Sequence, residues 1–173
     1  MWFESLVGFR EQNGDQIRSN ISVDNGTMIS SVNGRRMSCG TVETPSLKGL
    51  RSQVQSISAT TGTLQLSEVI ADVQKLHSDP ENAGALFQVA SQFNLLEMVA
   101  PSVTPEDGVD IYEGDHTQGP ACAIACGAGT IYRNYFVPVN GRIGQTADIQ
   151  IDCLNDLGVM LGPLRGRIDA RLP

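Results

Sequence analysis

The stretch ALFQVASQFN, residues 85–94, decides the predicted fold, together with DHTQGPACAIACGAGTIYRNYF, residues 115–136. Its first six residues form a short apolar run, which is typical of a strand covered on both faces in an α/β sheet. In the second segment, Gly119-Pro120 opens a run of small residues that favours a closely packed helix. These patterns predict a strand, a loop and a helix, with polar side chains where the strand ends and the helix begins.

Length and charge limit the classes of function. With 173 residues, of which 40% are hydrophobic, the chain is long enough for the single domain that we predict over residues 1–173. The net charge of −7 argues against nonspecific binding to nucleic acid or to an anionic membrane surface. No secretory signal and no run of roughly 18 apolar residues is seen, so we expect a cytoplasmic protein. A small molecule or a protein partner is favoured.

The cysteines and the acidic segment do not form a metal-binding pattern. Cys39, Cys122, Cys126 and Cys153 lack the spacing of Cys/His ligands, and we expect reduced, mostly buried thiols. Residues 101–114 carry four acidic residues, but without the spacing of a calcium loop. We interpret this acidic segment as a solvated surface loop, and we expect neither a metal nor a cofactor.

A β meander is predicted over residues 1–43. Asn25-Gly26 and Asn33-Gly34 are typical of tight hairpin turns, because Asn and Gly accept positive φ angles. The loop Gly14–Arg18 is a candidate to frame a pocket. The strands that we predict are residues 2–9, 20–23, 28–32 and 37–43.

A helical region is predicted over residues 44–80, and one further helix near the end of the chain. Thr44-Pro45-Ser46 is typical of a helix start, and apolar residues at helical spacing extend this helix to about Ile57. A second helix is predicted from Ser67 to His77, before Pro80. The last predicted helix begins at Thr146 or Ala147 and ends at Leu157, where the candidate ligand-binding core of residues 85–157 also ends.

The candidate ligand-binding residues lie where the predicted strand ends and the predicted helix begins. In open α/β sheets, ligands bind beyond the carboxyl ends of the strands, and a helix N-terminus suits a phosphate. We expect Gln92 and Asn94 to contact ribose hydroxyls and the N–H groups from Gly119 onward to approach a pyrophosphate. Both GxGxxG and the P-loop motif are absent. The other candidate ligand contacts are Thr117, Gln118 and Cys122.

Asp115 and His116 are the candidate catalytic residues, because an imidazole beside carboxylates can accept or donate a proton. A loop histidine with a purely structural hydrogen bond is the alternative. A third hypothesis is thiol-dependent chemistry at Cys122, whose place near a helix N-terminus would lower a thiol pKa.

Three glycines weaken the predicted helix over residues 119–136. Gly119, Gly127 and Gly129 each cost about 1 kcal/mol relative to Ala in a helix interior. Either tight packing or a ligand against the backbone must offset this cost.

Residues 86–94, followed by Gly119-Pro120 and the segment rich in alanine and glycine, resemble diverged macrodomains and poly-ADP-ribose glycohydrolases. The stretches SQFNLLE, residues 91–97, and TQGPACA, residues 117–123, also resemble a group of microbial proteins. The resemblance covers roughly residues 85–157. It implies a macrodomain-like three-layer α/β/α fold carrying the N-terminal antiparallel meander. It also implies that Asn94 holds the distal ribose of ADP-ribose and that the backbone around Gly119 holds the diphosphate.

Two features of those families are missing here. The triple-glycine loop followed by Gln-Glu-Glu of the glycohydrolases is absent, and so is a clear match to the early Asp that selects adenine in macrodomains. The group also implies a longer chain, so we expect a C-terminal truncation. We expect a protein that binds ADP-ribose or a related nucleotide, with hydrolysis of an ADP-ribosyl linkage as an extension. The alternative is a noncatalytic interaction module that completes its sheet by forming a homo-oligomer.

Overall fold

The computed structural model describes residues 1–56, 72, 75–76, 79–85, 102–115 and 118–151. The part of the predicted strand that follows Ala85 lies outside these residues. Most of the helix predicted from Ser67 to His77 also lies outside them. The described part combines α-helices with two small antiparallel sheets. One compact unit comprises Met1–Val42 and Ala71–Ile151, and a second comprises Glu43–Ile70 and Asp152–Pro173. The mixed α and β class is confirmed at this coarse level.

A three-stranded antiparallel sheet follows the first two helices. Strands β1 (Ile21–Asp24), β2 (Thr27–Ser30) and β3 (Arg36–Ser38) pair in the order β1-β2-β3. Asn25 and Gly26 take positive φ angles of 46° and 72° in the turn between β1 and β2. This is the conformation that an Asn-Gly hairpin turn requires. The predicted meander is therefore confirmed for these three strands.

The strand predicted at residues 2–9 is wrong, because this segment forms helix α1 (Trp2–Val7). Phe3 and Val7 lie four residues apart, and both are fully buried. Apolar residues at this spacing share one face of a helix, whereas in a strand they alternate with polar residues. Gly8 ends the helix with a φ of 87°, and its N–H donates to the carbonyl of Glu4.

Helix α2 (Gly14–Asn20) replaces the predicted loop at Gly14–Arg18, which was also wrong. The side chain of Asn13 accepts a hydrogen bond from the N–H of Gln16 at 2.9 Å and so caps the helix. In the second compact unit, helix α3 (Leu47–Ser56) confirms the helix predicted to start near Thr44-Pro45-Ser46 and to end near Ile57.

Two helices occupy the segment that was predicted as one. Helix α4 (Gln118–Cys126) and helix α5 (Ala128–Tyr135) are separated by Gly127, which has a φ of 50°. This left-handed conformation is unfavourable for any residue with a Cβ atom. The glycine therefore ends one helix and begins the next.

A short hairpin follows α5. Strands β4 (Pro138–Val139) and β5 (Arg142–Ile143) pair through a turn at Asn140-Gly141. The helix predicted to start at Thr146 or Ala147 is wrong at its beginning, because Thr146 and Ile149 form an isolated β-bridge. The Thr146 hydroxyl donates to the Asp148 carboxylate at 2.6 Å, and such local bonds compete with a helix. Residues 152–157 lie outside the described residues.

The interpretation of the acidic segment as a solvated surface loop is only partly right: Glu106, Asp107 and Glu113 are exposed, but the segment also contributes buried residues to the core. It contains the 3₁₀ helices Pro105–Asp107 and Asp110–Gly114. Val109 and Tyr112 are 1% and 2% exposed. Both pack in one cluster with buried side chains of α1, α2, the sheet, α4 and α5. None of the described helices is long and apolar enough to cross a membrane.

Candidate functional site

Helix α4 begins at Gln118, within one residue of its predicted start. Gly119 is half-buried in the first turn, and Pro120 is buried. The first N–H groups of any helix lack a partner within that helix and carry a partial positive charge. The start of α4 therefore presents the N–H groups of Gln118, Gly119 and Ala121 in the arrangement that suits an anion.

Asp115 lies immediately before this helix start. It follows the 3₁₀ helix Asp110–Gly114, is half-buried, and donates its N–H to the carbonyl of Tyr112 at 3.1 Å. The structure thus places one candidate catalytic carboxylate three residues before α4. Cys122 is half-buried one turn after the helix start. The other predicted site residues lie outside the described residues: Gln92, Asn94, His116, Thr117 and the side chain of Gln118.

Backbone conformation explains one of the three glycines that weaken the predicted helix. Gly127, with its positive φ, is the junction between α4 and α5. A Cβ atom on Gly129 would lie 3.4 Å from the carbonyl oxygen of Cys39, which is ordinary van der Waals contact, so packing there does not require glycine. Gly119, in the first turn of α4, remains a candidate for contact with a ligand.

The acidic segment is tied to the N-terminus of α1. The Trp2 N–H donates to Glu113 at 2.9 Å, and the indole N–H of Trp2 donates to the Val109 carbonyl at 3.3 Å. The Asp110 carboxylate accepts from the N–H of Phe3. Carboxylates at this end of a helix satisfy its free N–H groups and interact favourably with its dipole.

The other side of the acidic segment is tied to α5 and to the chain after β5. Asn134, 1% exposed, donates its side-chain N–H to the Pro105 carbonyl at 3.0 Å. The Glu106 carboxylate accepts from the N–H of Ala147 at 2.9 Å. The segment is therefore anchored on both sides. This anchoring holds in place the 3₁₀ helix Asp110–Gly114, whose last turn leads to Asp115.

The strongest anchor is Glu11, a residue that sequence reasoning missed. Its carboxylate accepts from the N–H groups of Val109, at 2.9 and 3.0 Å, and of Asp110, at 2.6 Å. The Tyr135 hydroxyl donates to the same carboxylate at 2.6 Å. We call Glu11, Tyr135 and the N–H groups of Val109 and Asp110 the Glu11 cluster.

Gly108 makes room for this carboxylate. A Cβ atom at Gly108 would lie 2.5 Å from Oε2 of Glu11, and the residue has a φ of 89°. Both observations require glycine.

Burial dominates the electrostatics of the Glu11 cluster. Loss of solvent raises the pKa of Glu11 from its ordinary value of 4.5, the nearby Asp110 charge raises it further, and the three donors partly offset the rise. Burial also raises the pKa of Tyr135, as does the neighbouring Glu11 charge. The pKa of Asp110 is raised by burial and then by Glu113. The cluster therefore favours the neutral forms of its acids.

The described residues contain no group of three or more His, Cys, Asp or Glu residues that could hold a metal ion. No protein-family model matches the sequence, and no match was found among curated proteins or solved structures. The resemblance to macrodomains therefore stays a hypothesis that rests on residues 85–157.

Proposed function

We propose that the protein binds ADP-ribose or a related nucleotide, with the diphosphate at the N-terminus of α4. The observation that carries the proposal is the position of the helix start, with Gly119 half-buried in its first turn. A helix N-terminus offers several N–H donors and a partial positive charge, and a glycine allows the phosphate to approach the backbone. Asn94 and Gln92 then hold ribose hydroxyls, while Thr117, Gln118 and Cys122 contact the ligand near the helix start.

Hydrolysis of an ADP-ribosyl linkage extends this proposal. A water molecule attacks the ribosyl C1″ carbon and forms a new C–O bond while the bond from C1″ to the leaving group breaks. Asp115 or His116 takes the water proton, and solvent supplies a proton to the leaving group. Asp115 supports this assignment through its position next to the helix that holds the diphosphate.

Calorimetric titration with ADP-ribose tests the binding proposal. We expect wild type to bind and Asn94→Ala to lose about tenfold in affinity, which corresponds to about 1.4 kcal/mol. Gly119→Ala should lose a similar amount, because its methyl group crowds the diphosphate. Gly114→Ala is the matched control, since a Cβ atom there meets nothing within 4 Å and its φ is not positive. Absence of binding heat at millimolar ADP-ribose would remove the proposal.

A noncatalytic module that completes its sheet by homo-oligomerisation is the second candidate. Among the described residues, β1 and β3 each pair on one side only, which leaves two sheet edges for another strand. Light scattering behind size exclusion separates the two candidates. A concentration-independent monomer would rule out the second one.

A further inference from the structure

The Glu11 cluster connects three parts of the chain that are far apart in sequence. We propose that this cluster is a pH-dependent switch that sets how firmly residues 108–110 are held against helix α5. The proposal goes beyond nucleotide binding and does not depend on it. It rests on the hydrogen bonds of Glu11, on the charges around Glu11 and on Trp2, whose fluorescence reports on the same segment.

The contact geometry accepts both protonation states of Glu11. Oε2 accepts from the N–H groups of Val109 and Asp110, and Oε1 lies 2.6 Å from the Tyr135 hydroxyl. When Glu11 is ionised, Tyr135 donates to Oε1. When Glu11 takes a proton from solvent on Oε1, that proton points to the Tyr135 oxygen and the direction of this hydrogen bond reverses. Titration therefore changes the charge of the cluster without requiring a new set of contacts.

The charges around Glu11 are mainly negative. Asp110 lies on the segment that Glu11 binds, and it is followed on the same 3₁₀ helix by Tyr112 and Glu113. The N-terminal segment contributes Glu4, which raises the pKa of Asp110, and the amino group of Met1, which lowers it. Helix α5 contributes the Tyr135 hydroxyl, and helix α2 contributes Arg18, whose guanidinium donates to the Tyr135 carbonyl at 3.5 Å. Ionised Glu11 thus adds a charge beside Asp110 in a half-buried place, and neutral Glu11 does not.

Proton linkage and hydrogen-bond strength act in opposite directions here. The folded protein holds the Glu11 proton more tightly than the unfolded chain, in which the pKa is near 4.5. The stabilisation of the whole fold by this proton is complete below pH 4.5 and is lost as the pH rises through the higher pKa of the folded protein. The N–H groups of Val109 and Asp110 lower the pKa of Glu11, so their hydrogen bonds are stronger to the ionised carboxylate, and residues 108–110 are held more firmly toward neutral pH than in acid.

Trp2 reports on this segment. It is the only tryptophan of the chain. Its indole N–H donates to the carbonyl of Val109, the residue whose N–H is bound by Glu11. A change in how Val109 is held changes the surroundings of the indole, and fluorescence emission measures it directly.

The test is a fluorescence titration of the full chain between about pH 4 and pH 8, a range around the ordinary carboxyl pKa. Far-UV circular dichroism checks at each pH that the protein stays folded. We expect one transition with a midpoint above pH 4.5 in wild type and its loss in Glu11→Gln. Asp24→Asn is the control, because this carboxylate is exposed on strand β1 and does not belong to the cluster.

Two further variants give shifts of opposite sign. Tyr135→Phe removes a donor to ionised Glu11, so the midpoint should move to higher pH. Asp110→Asn removes a neighbouring negative charge, so the midpoint should move to lower pH. A wild-type protein without a transition would overturn the proposal. So would a transition that survives in Glu11→Gln, one that disappears in Asp24→Asn, or two shifts of the same sign.

Discussion

At the scale of single residues, Gly108 and Glu11 depend on one another. Glu11 reaches two successive N–H groups because Gly108 has no side chain and takes a φ of 89°. Sequence analysis could not find this pair, since 98 residues separate Glu11 from Val109 and no local motif links them. Asn25-Gly26 shows the opposite case, because its turn is determined by the two residues that form it.

Gly108→Ala should destabilise the protein more than Gly34→Ala. Both glycines have a positive φ, and Gly108, with a ψ of −173°, lies in a region essentially restricted to glycine, so each variant costs about 1–3 kcal/mol in backbone strain. A Cβ atom at Gly34 meets nothing within 4 Å, whereas one at Gly108 displaces Glu11. We expect a further loss of about 1–3 kcal/mol in the free energy of unfolding for Gly108→Ala, measured by urea denaturation. Equal losses in the two variants would contradict the proposed role of Gly108.

At the scale of elements, the predicted helix starts were confirmed where a capping residue or a Gly-Pro pair preceded apolar or small residues at helical spacing. The starts of α3 and α4 were predicted to within a few residues. Residues 2–9 were misassigned because a short apolar-rich segment fits both a strand and a buried helix. The division at Gly127 was missed because a glycine in a run of small residues gives no sign of its φ angle.

The cysteines of the described segments should differ in reactivity. Cys126 is exposed, Cys122 is half-buried and Cys39 is buried, with a thiol pKa raised by that burial. Only the thiolate reacts, so labelling by iodoacetamide near neutral pH should be fastest at Cys126 and slowest at Cys39. Peptide mass spectrometry of the native protein measures the order. Labelling of Cys122 ahead of Cys126 would instead favour thiol-dependent chemistry at Cys122.

At the scale of the molecule, the unit formed by Met1–Val42 and Ala71–Ile151 is organised around the acidic segment. Composition indicated a solvated loop, because carboxylates and prolines are typical of one. The structure uses the carboxylates of Glu106, Asp110 and Glu113 as hydrogen-bond acceptors for backbone N–H groups of other segments. Partners so distant in sequence leave no local pattern, so the anchoring of the acidic segment was not predictable, whereas the turn at Asn25-Gly26 and the starts of α3 and α4 were.

Hydrogen exchange should reveal this anchoring. The amides of Val109 and Asp110 donate to Glu11, so we expect them to exchange at least tenfold more slowly than the amide of Gly141 in the exposed hairpin turn. Exchange is followed by nuclear magnetic resonance near neutral pH. Equal rates at Val109 and Gly141 would mean that the acidic segment opens as readily as a surface turn.

The most direct test of the proposed function is an amide resonance titration of the full chain with ADP-ribose. If the diphosphate binds at the start of α4, the N–H resonances of Gln118, Gly119 and Ala121 shift together and saturate at one ligand per chain. The amide of Gly34, which donates to the Ser30 carbonyl in the turn between β2 and β3, provides an internal control and should not move. Saturable shifts confined to other segments, or no shifts at millimolar ADP-ribose, would contradict the proposed function.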